Sequence, residues 1–353
     1  MNIYSRPWGK LSSGETATLF TLVNDNGMTL EITDFGGTIV SIKTPDRSGK
    51  LTDICLGYDS LADYEKADGY LGALVGRVAN RIAGASFELN GETYSLYAND
   101  GANCLHGGKK SFSYVIWKSE TAADADKATL TLTYFSPDGE EGFPGNLTTK
   151  VTYTLDNHNA LAIRYEAECD KATPINLTNH AYFNLGGNAS GPIFGQTLWM
   201  DAESYLAGDK DLIPIAVKPV DGTPFDFTEA KPIGKDFFAD CADLRIAGGY
   251  DHCFNFVGGE TKEPVLRATL KDPASGRVMK MYTNQPCVQL YTGNFLTADG
   301  YPFKGGLVKS KQMALCLETQ HMPDSIHHDN FTNVVLDVGE TYDYTTIYAF
   351  SAE

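Results

Sequence analysis

Glu318 is the residue whose setting most suggests chemistry. It follows Ala314-Leu315-Cys316-Leu317, an apolar run that reads as a buried strand. An ionised carboxylate is costly there unless paired, and a desolvated one has the raised pKa that a general base working near neutral pH needs. At an edge position the same carboxylate would sit in water. Three more segments are dense in polar and aromatic groups: GRVANRIAG (76–84), NCLHGG (103–108) and NLTNHAYFNLGG (176–187). In these, His106 and His180 are each either an acid/base group or a histidine satisfied by hydrogen bonds within the fold. The pair Gly107-Gly108 lowers the steric barrier to ligand approach beside His106. Arg81 precedes Ile82 and Ala83, so it can be a partly buried donor fork for sugar hydroxyls or a carboxylate; the alternative is a turn with Arg77 and Arg81 both solvated. Asp251, in GGYDHCF, has backbone capping in a turn as its ordinary role.

Other chemistries lack their signatures. His327 and His328 are adjacent and would point to opposite faces of a strand, His321 stands in a different loop, and no HxxxH or HxH spacing occurs, so no metal is expected. Nothing near Cys104 would lower its pKa, which leaves it a small buried thiol rather than a nucleophile. No GxGxxG, P-loop or GxSxG pattern occurs, and no cofactor is expected. The seven cysteines, at 55, 104, 169, 241, 253, 287 and 316, have no regular spacing and read as reduced and mostly buried. With 45 acidic against 28 basic residues the formal charge is −17, which argues against nucleic acid or an anionic membrane as a partner. The opening MNIYSRPWGK has no apolar run behind its basic residues, and no stretch approaches the roughly 18 apolar residues of a membrane span. A soluble, cytoplasmic protein, monomeric or homodimeric, is the expectation.

Strands must position these groups. Leu147, Thr149, Val151, Tyr153 and Leu155 alternate with Thr148, Lys150, Thr152 and Thr154, and Leu161, Ile163, Tyr165 and Ala167 oppose Arg164, Glu166 and Glu168. The turn-forming 156–159 between them makes this an antiparallel hairpin. Leu130, Leu132 and Tyr134 alternate with threonines in the same way. A second hairpin turns at Asn90-Gly91, a dipeptide that tolerates two positive φ angles. Helical periodicity is confined to 60–66 and 229–240, the latter interrupted by Pro232 and Gly234, and there is no βαβ rhythm. The fold class is therefore all-β: one large antiparallel β-sandwich with few short helices, a single domain over residues 1–353.

Taken together, the four segments resemble the galactose mutarotase (aldose 1-epimerase) family. The resemblance runs through Phe35-Gly36-Gly37, Thr44-Pro45-Asp46-Arg47, Leu56-Gly57-Tyr58 and GRVANRIAG. It continues through LHGG, Gly142-Phe143-Pro144-Gly145, TNHAYFNLGG, GTPFDF, GGYDH, YTGNF, LETQ and the closing 337–342. It implies a large antiparallel β-sandwich with an open cleft, and interconversion of the α and β anomers of free aldohexoses such as galactose and glucose. It implies Glu318 as the base at the C1 hydroxyl, His180 as the acid at the ring oxygen, and His106 sharing that work or binding on the ring-oxygen side. Asn80, Arg81, Tyr182, Asp251 and Gln289 match positions that bind the sugar. The division of labour asks for Glu318 ionised and His180 protonated in one resting state.

The sequence departs from the family pattern at Ser111, at His327-His328, at Thr332 and at Cys253, and the loop changes bear on the pocket rim. Two alternatives remain. A hexose-6-phosphate 1-epimerase would need a basic phosphate pocket. A non-catalytic carbohydrate-binding β-sandwich would have no need of a matched acid and base.

Overall fold

A computed structural model describes residues 1–353. Period-two burial appears where the alternation predicts it. In Leu147–Asp156 and Ala160–Cys169 the apolar positions are buried and the hairpin pairs Leu155 with Leu161. These strands lie in a nine-stranded antiparallel sheet that includes Lys118–Ala123, Lys127–Ser136, Tyr342–Ala352, Arg277–Thr283 and Val265–Lys271. A five-stranded meander from Asn2–Lys10 to Leu51–Asp53 forms a second sheet. A third, also five-stranded, runs in the order Pro214–Pro219, Ala202–Gly208, Asp251–Phe256, Cys287–Tyr291, Cys316–Gln320. Inner faces of all three sheets meet in the main apolar core, which draws residues from Phe20 to Phe350 and includes Leu30, Ile42, Val151, Ile163, Phe254 and Leu317. The Asn90-Gly91 turn has φ of 53° and 80°, and it joins Ser86–Leu89 to Glu92–Ser95.

The helices are two. Leu61–Lys66 is capped by the Ser60 hydroxyl, which accepts from the Asp63 amide. The second differs from expectation: it spans Ala242–Ala247 and not 229–240. In the expected stretch Lys231–Pro232 forms a short edge pairing with Thr197–Leu198, a position where proline's missing donor is tolerated. No helix is long and apolar enough to cross a membrane. All seven cysteines are free, and Cys55, Cys104, Cys253, Cys287 and Cys316 are buried.

Candidate active site

The third sheet places Asp251, Gln289 and Glu318 together by register alone. Asp251 pairs with Tyr291 and Tyr291 with Cys316; one step along, Cys253 pairs with Gln289 and Gln289 with Glu318. Directly opposed residues share a sheet face, as do residues two apart on a strand, so all six side chains project to one side. On that side Asp251, Gln289, Tyr291 and Glu318 form the floor of a cavity of about 350 Å³. The intervening residues Leu290 and Leu317 point to the core. Cys316–Gln320 is the last strand of its sheet, yet Glu318 is only 1% exposed, because the 178–183 segment covers it.

That covering segment carries His180. Its backbone is clamped at both ends, with its amide donating to the Ala73 carbonyl and its carbonyl accepting from the Gly72 amide, each at 2.9 Å. The imidazole lies against Tyr182, with ring centroids 4.9 Å apart, while Tyr291 meets it edge-on. One nitrogen, Nε2, stands 3.6 Å from Glu318 Oε1, and the other, Nδ1, lies 3.4 Å from Cys316 Sγ.

The opposite wall comes from a two-residue ladder in which Arg81–Ile82 pairs with Cys104–Leu105. Asn80 and His106, flanking it, both adopt left-handed backbone, at φ 63° and 52°. They hold each other there: the His106 amide donates to the Asn80 carbonyl at 3.0 Å, and the Asn80 amide donates to His106 Nδ1 at 3.1 Å. Arg81 donates from Nε to Asp100. All eight residues expected at a site, Asn80, Arg81, His106, His180, Tyr182, Asp251, Gln289 and Glu318, line this one cavity.

His106, His180 and Glu318 place potential ligand atoms within 4.8 Å of one another, which resembles a metal triad. The Asn80 amide argues against that use. Because it donates to Nδ1, neutral His106 carries its proton on Nε2, the nitrogen left for the cavity, and a protonated nitrogen cannot ligate. His106 therefore faces the cavity as a hydrogen-bond donor. Acceptors face it too: Gln289 donates from Nε2 to Asp251 at 2.7 Å, but its Oε1, like Glu318 Oε2, is buried with no partner in the protein. Tyr182 presents its ring, and its hydroxyl proton is committed to the Gly69 carbonyl.

Burial opposes the resting ion pair that the sequence expectation calls for. Burial, reinforced by the charge of Asp251, raises the Glu318 carboxyl well above the usual range, and burial pushes His180 down to about 4. Both shifts favour the uncharged forms, a protonated carboxyl beside a neutral imidazole. His106 is lowered by burial as well, which keeps it neutral.

Other expectations also change. Gly107 and Gly108 do not admit a ligand; a Cβ on Gly107 would come 2.1 Å from the Gly76 carbonyl oxygen and one on Gly108 2.4 Å from the Glu141 carboxylate, so both glycines serve loop packing. Arg77 is not solvated but 2% exposed, donating to Ser136, Pro137, Pro144 and Thr173. His327 ends a 3₁₀ turn and His328 follows it, neither on a strand, and both reach Asp324, at 2.7 and 3.4 Å. Ser111, Thr332, Cys253 and the two histidines all lie outside the cavity lining. Sequence reasoning missed Tyr70, Asp68, Tyr291, Phe295, Asp299 and Lys309, which do line it. Tyr291 and Phe295 lie inside the YTGNF motif and were open to discovery; the others carry no local signal.

Known proteins resemble this chain over nearly its whole length. The family model described as aldose 1-epimerase matches residues 18–349. The chain is 42% identical to human galactose mutarotase over 343 residues, 96% of each chain, and 37% identical to the aldose 1-epimerase of Escherichia coli K12 over 344 residues, 96% of this chain and 97% of that one. The crystal structure of galactose 1-epimerase from Lactobacillus acidophilus superposes with a TM-score of 0.86 at 29% identity, covering 99% of both chains. With a family match across nearly its whole length and relatives this similar, the chain belongs to the aldose 1-epimerase family.

Proposed function

We propose that this protein interconverts the α and β anomers of free aldohexoses such as galactose and glucose. The observation that carries the reading is the Glu318–His180 pair, 3.6 Å apart and buried on the floor of a cavity sized for a small ligand. Around it stand a fixed donor, His106 Nε2–H, and two unpartnered acceptors, Gln289 Oε1 and Glu318 Oε2. A sugar brings hydroxyls that both donate and accept.

Hydroxyls donating to Glu318 favour its ionised form and so drive its proton to His180. Glu318 then takes the proton of the C1 hydroxyl while His180 gives one to the ring oxygen, and the C1–O5 bond breaks to leave the open aldehyde. Rotation about C1–C2 and the same transfers in reverse close the ring as either anomer. Each positioned group contributes about 10²- to 10⁴-fold, without further chemistry from elsewhere.

A phosphosugar reading is disfavoured by the cations of the cavity. Arg81 is engaged by Asp100, and Lys309 donates to Asp299 and Tyr58, while Asp68 and Asp251 add negative charge. We propose also that residues 1–353 act as one unit, because the cavity is walled by segments from Asp68 to Glu318. The test is the polarimetric decay of fresh α-D-galactose and α-D-glucose with catalytic enzyme. Saturable acceleration is expected for at least one of them; acceleration of glucose 6-phosphate alone would overturn the assignment.

A further inference from the structure

We propose that Cys316 is a positioning residue for His180: its sulfur accepts the Nδ1–H of the imidazole, leaving Nε2 as the nitrogen that gives and takes the proton. This rests on the acid/base reading of His180 above. Cys316 and Glu318 are two residues apart on one strand and on its cavity face, so a single strand meets both ring nitrogens, Sγ at 3.4 Å from Nδ1 and Oε1 at 3.6 Å from Nε2. Apart from a contact with the main chain of His180 itself, the remaining neighbours meet the ring without hydrogen bonding: Tyr70, Tyr182, Tyr291 and His106 approach it with ring faces or edges. The thiol is fully buried, and burial keeps it neutral by raising its pKa.

The chemistry explains why sulfur suits the place. A histidine that acts as acid on opening and as base on closing must shed its Nε2 proton as readily as it regains it. In both states Nδ1 keeps its hydrogen and needs an acceptor, since a neutral imidazole with a bare Nε2 carries its proton on Nδ1. A carboxylate there would favour the imidazolium and hold the proton on the ring. A neutral sulfur is a weak acceptor that fixes the tautomer with little bias between the two states.

The experiment joins ¹⁵N NMR of the wild-type imidazole with kinetics of two variants. The expected nitrogen shifts at neutral pH are those of a protonated Nδ1 and a bare Nε2 for His180. Cys316→Ala should lower kcat for galactose about tenfold with KM changed less than about twofold, the size of other losses of an orienting partner. Cys316→Ser, which restores an acceptor, should recover most of that kcat. A wild-type His180 with its proton on Nε2 would overturn the proposal, as would an unchanged kcat in Cys316→Ala or a Cys316→Ser variant as slow as the alanine one. If wild-type enzyme failed to speed mutarotation, the functional reading would fall, and the nitrogen shifts would still decide the sulfur contact, whether or not either variant folds.

Discussion

Replacing Glu318 by Gln should stop catalysis and stabilise the protein, and the stabilisation should grow with pH. Glu318 is 1% exposed, and its carboxyl is held well above the usual range by burial and by Asp251. In the unfolded chain a glutamate titrates at about 4.3. Between those two values the native state binds a proton that the unfolded chain has released, so this group's contribution is complete below the unfolded pKa and lost as pH rises toward the folded one. Glutamine has the same shape and no titration, while His180, pushed down to about 4, stays neutral beside it. Each pH unit corresponds to about 1.4 kcal/mol, so the stability of Glu318→Gln over wild type should increase with pH above the unfolded value, by up to about 1.4 kcal/mol per unit, until the pH reaches the raised native value. Equilibrium urea unfolding at several pH values reads this directly. In the same samples kcat for galactose should fall about 10²- to 10⁴-fold. A stability difference that does not change with pH would mean that the native carboxylate is already ionised, and the account of its protonation would be wrong.

Three further outcomes follow from the same geometry. For wild type, kcat/KM should hold from just above about 4, where His180 takes up a second proton, until the pH passes the raised value of Glu318 and the pair loses its only one; Asp251→Asn, which removes a neighbouring negative charge, should move the basic limb to lower pH in a pH–rate profile. Gly107→Ala should cost at least about 2 kcal/mol in urea unfolding, since the residue sits at φ +84° with the Gly76 carbonyl in the way of a Cβ. Arg77→Met should cost about 3 kcal/mol or more by stranding buried carbonyls, while the folded fraction keeps its KM for galactose, because Arg77 does not reach the cavity.

What could be read from the sequence was local or compositional. The alternation in Leu147–Asp156 is a property of one strand facing one core, and the Asn90-Gly91 turn depends on two adjacent φ angles; both appear as written. Glu318 betrayed itself by an apolar run on one side only. What escaped depends on distant parts of the chain. Tyr70 and Lys309 reach the cavity because separate loops converge on it, and nothing beside them in the sequence says so. The glycines after His106 look like room for a ligand until the Gly76 backbone is seen against Gly107. His327 and His328 converge because they end and follow a turn and do not lie on a strand. The expected resting ion pair meets an opposing term for a related reason: opposite charges nearby favour it, but the burial of both partners, which only the fold reveals, favours their neutral forms.

The central claim is that the Glu318–His180 pair opens and recloses the sugar ring. Exchange NMR of galactose at anomeric equilibrium observes that event without net reaction, as magnetisation passing between the α and β H1 signals. The account predicts exchange cross-peaks with catalytic wild-type enzyme and their loss with Glu318→Gln at equal concentration. Cross-peaks of equal strength with both proteins, or with neither, would contradict it.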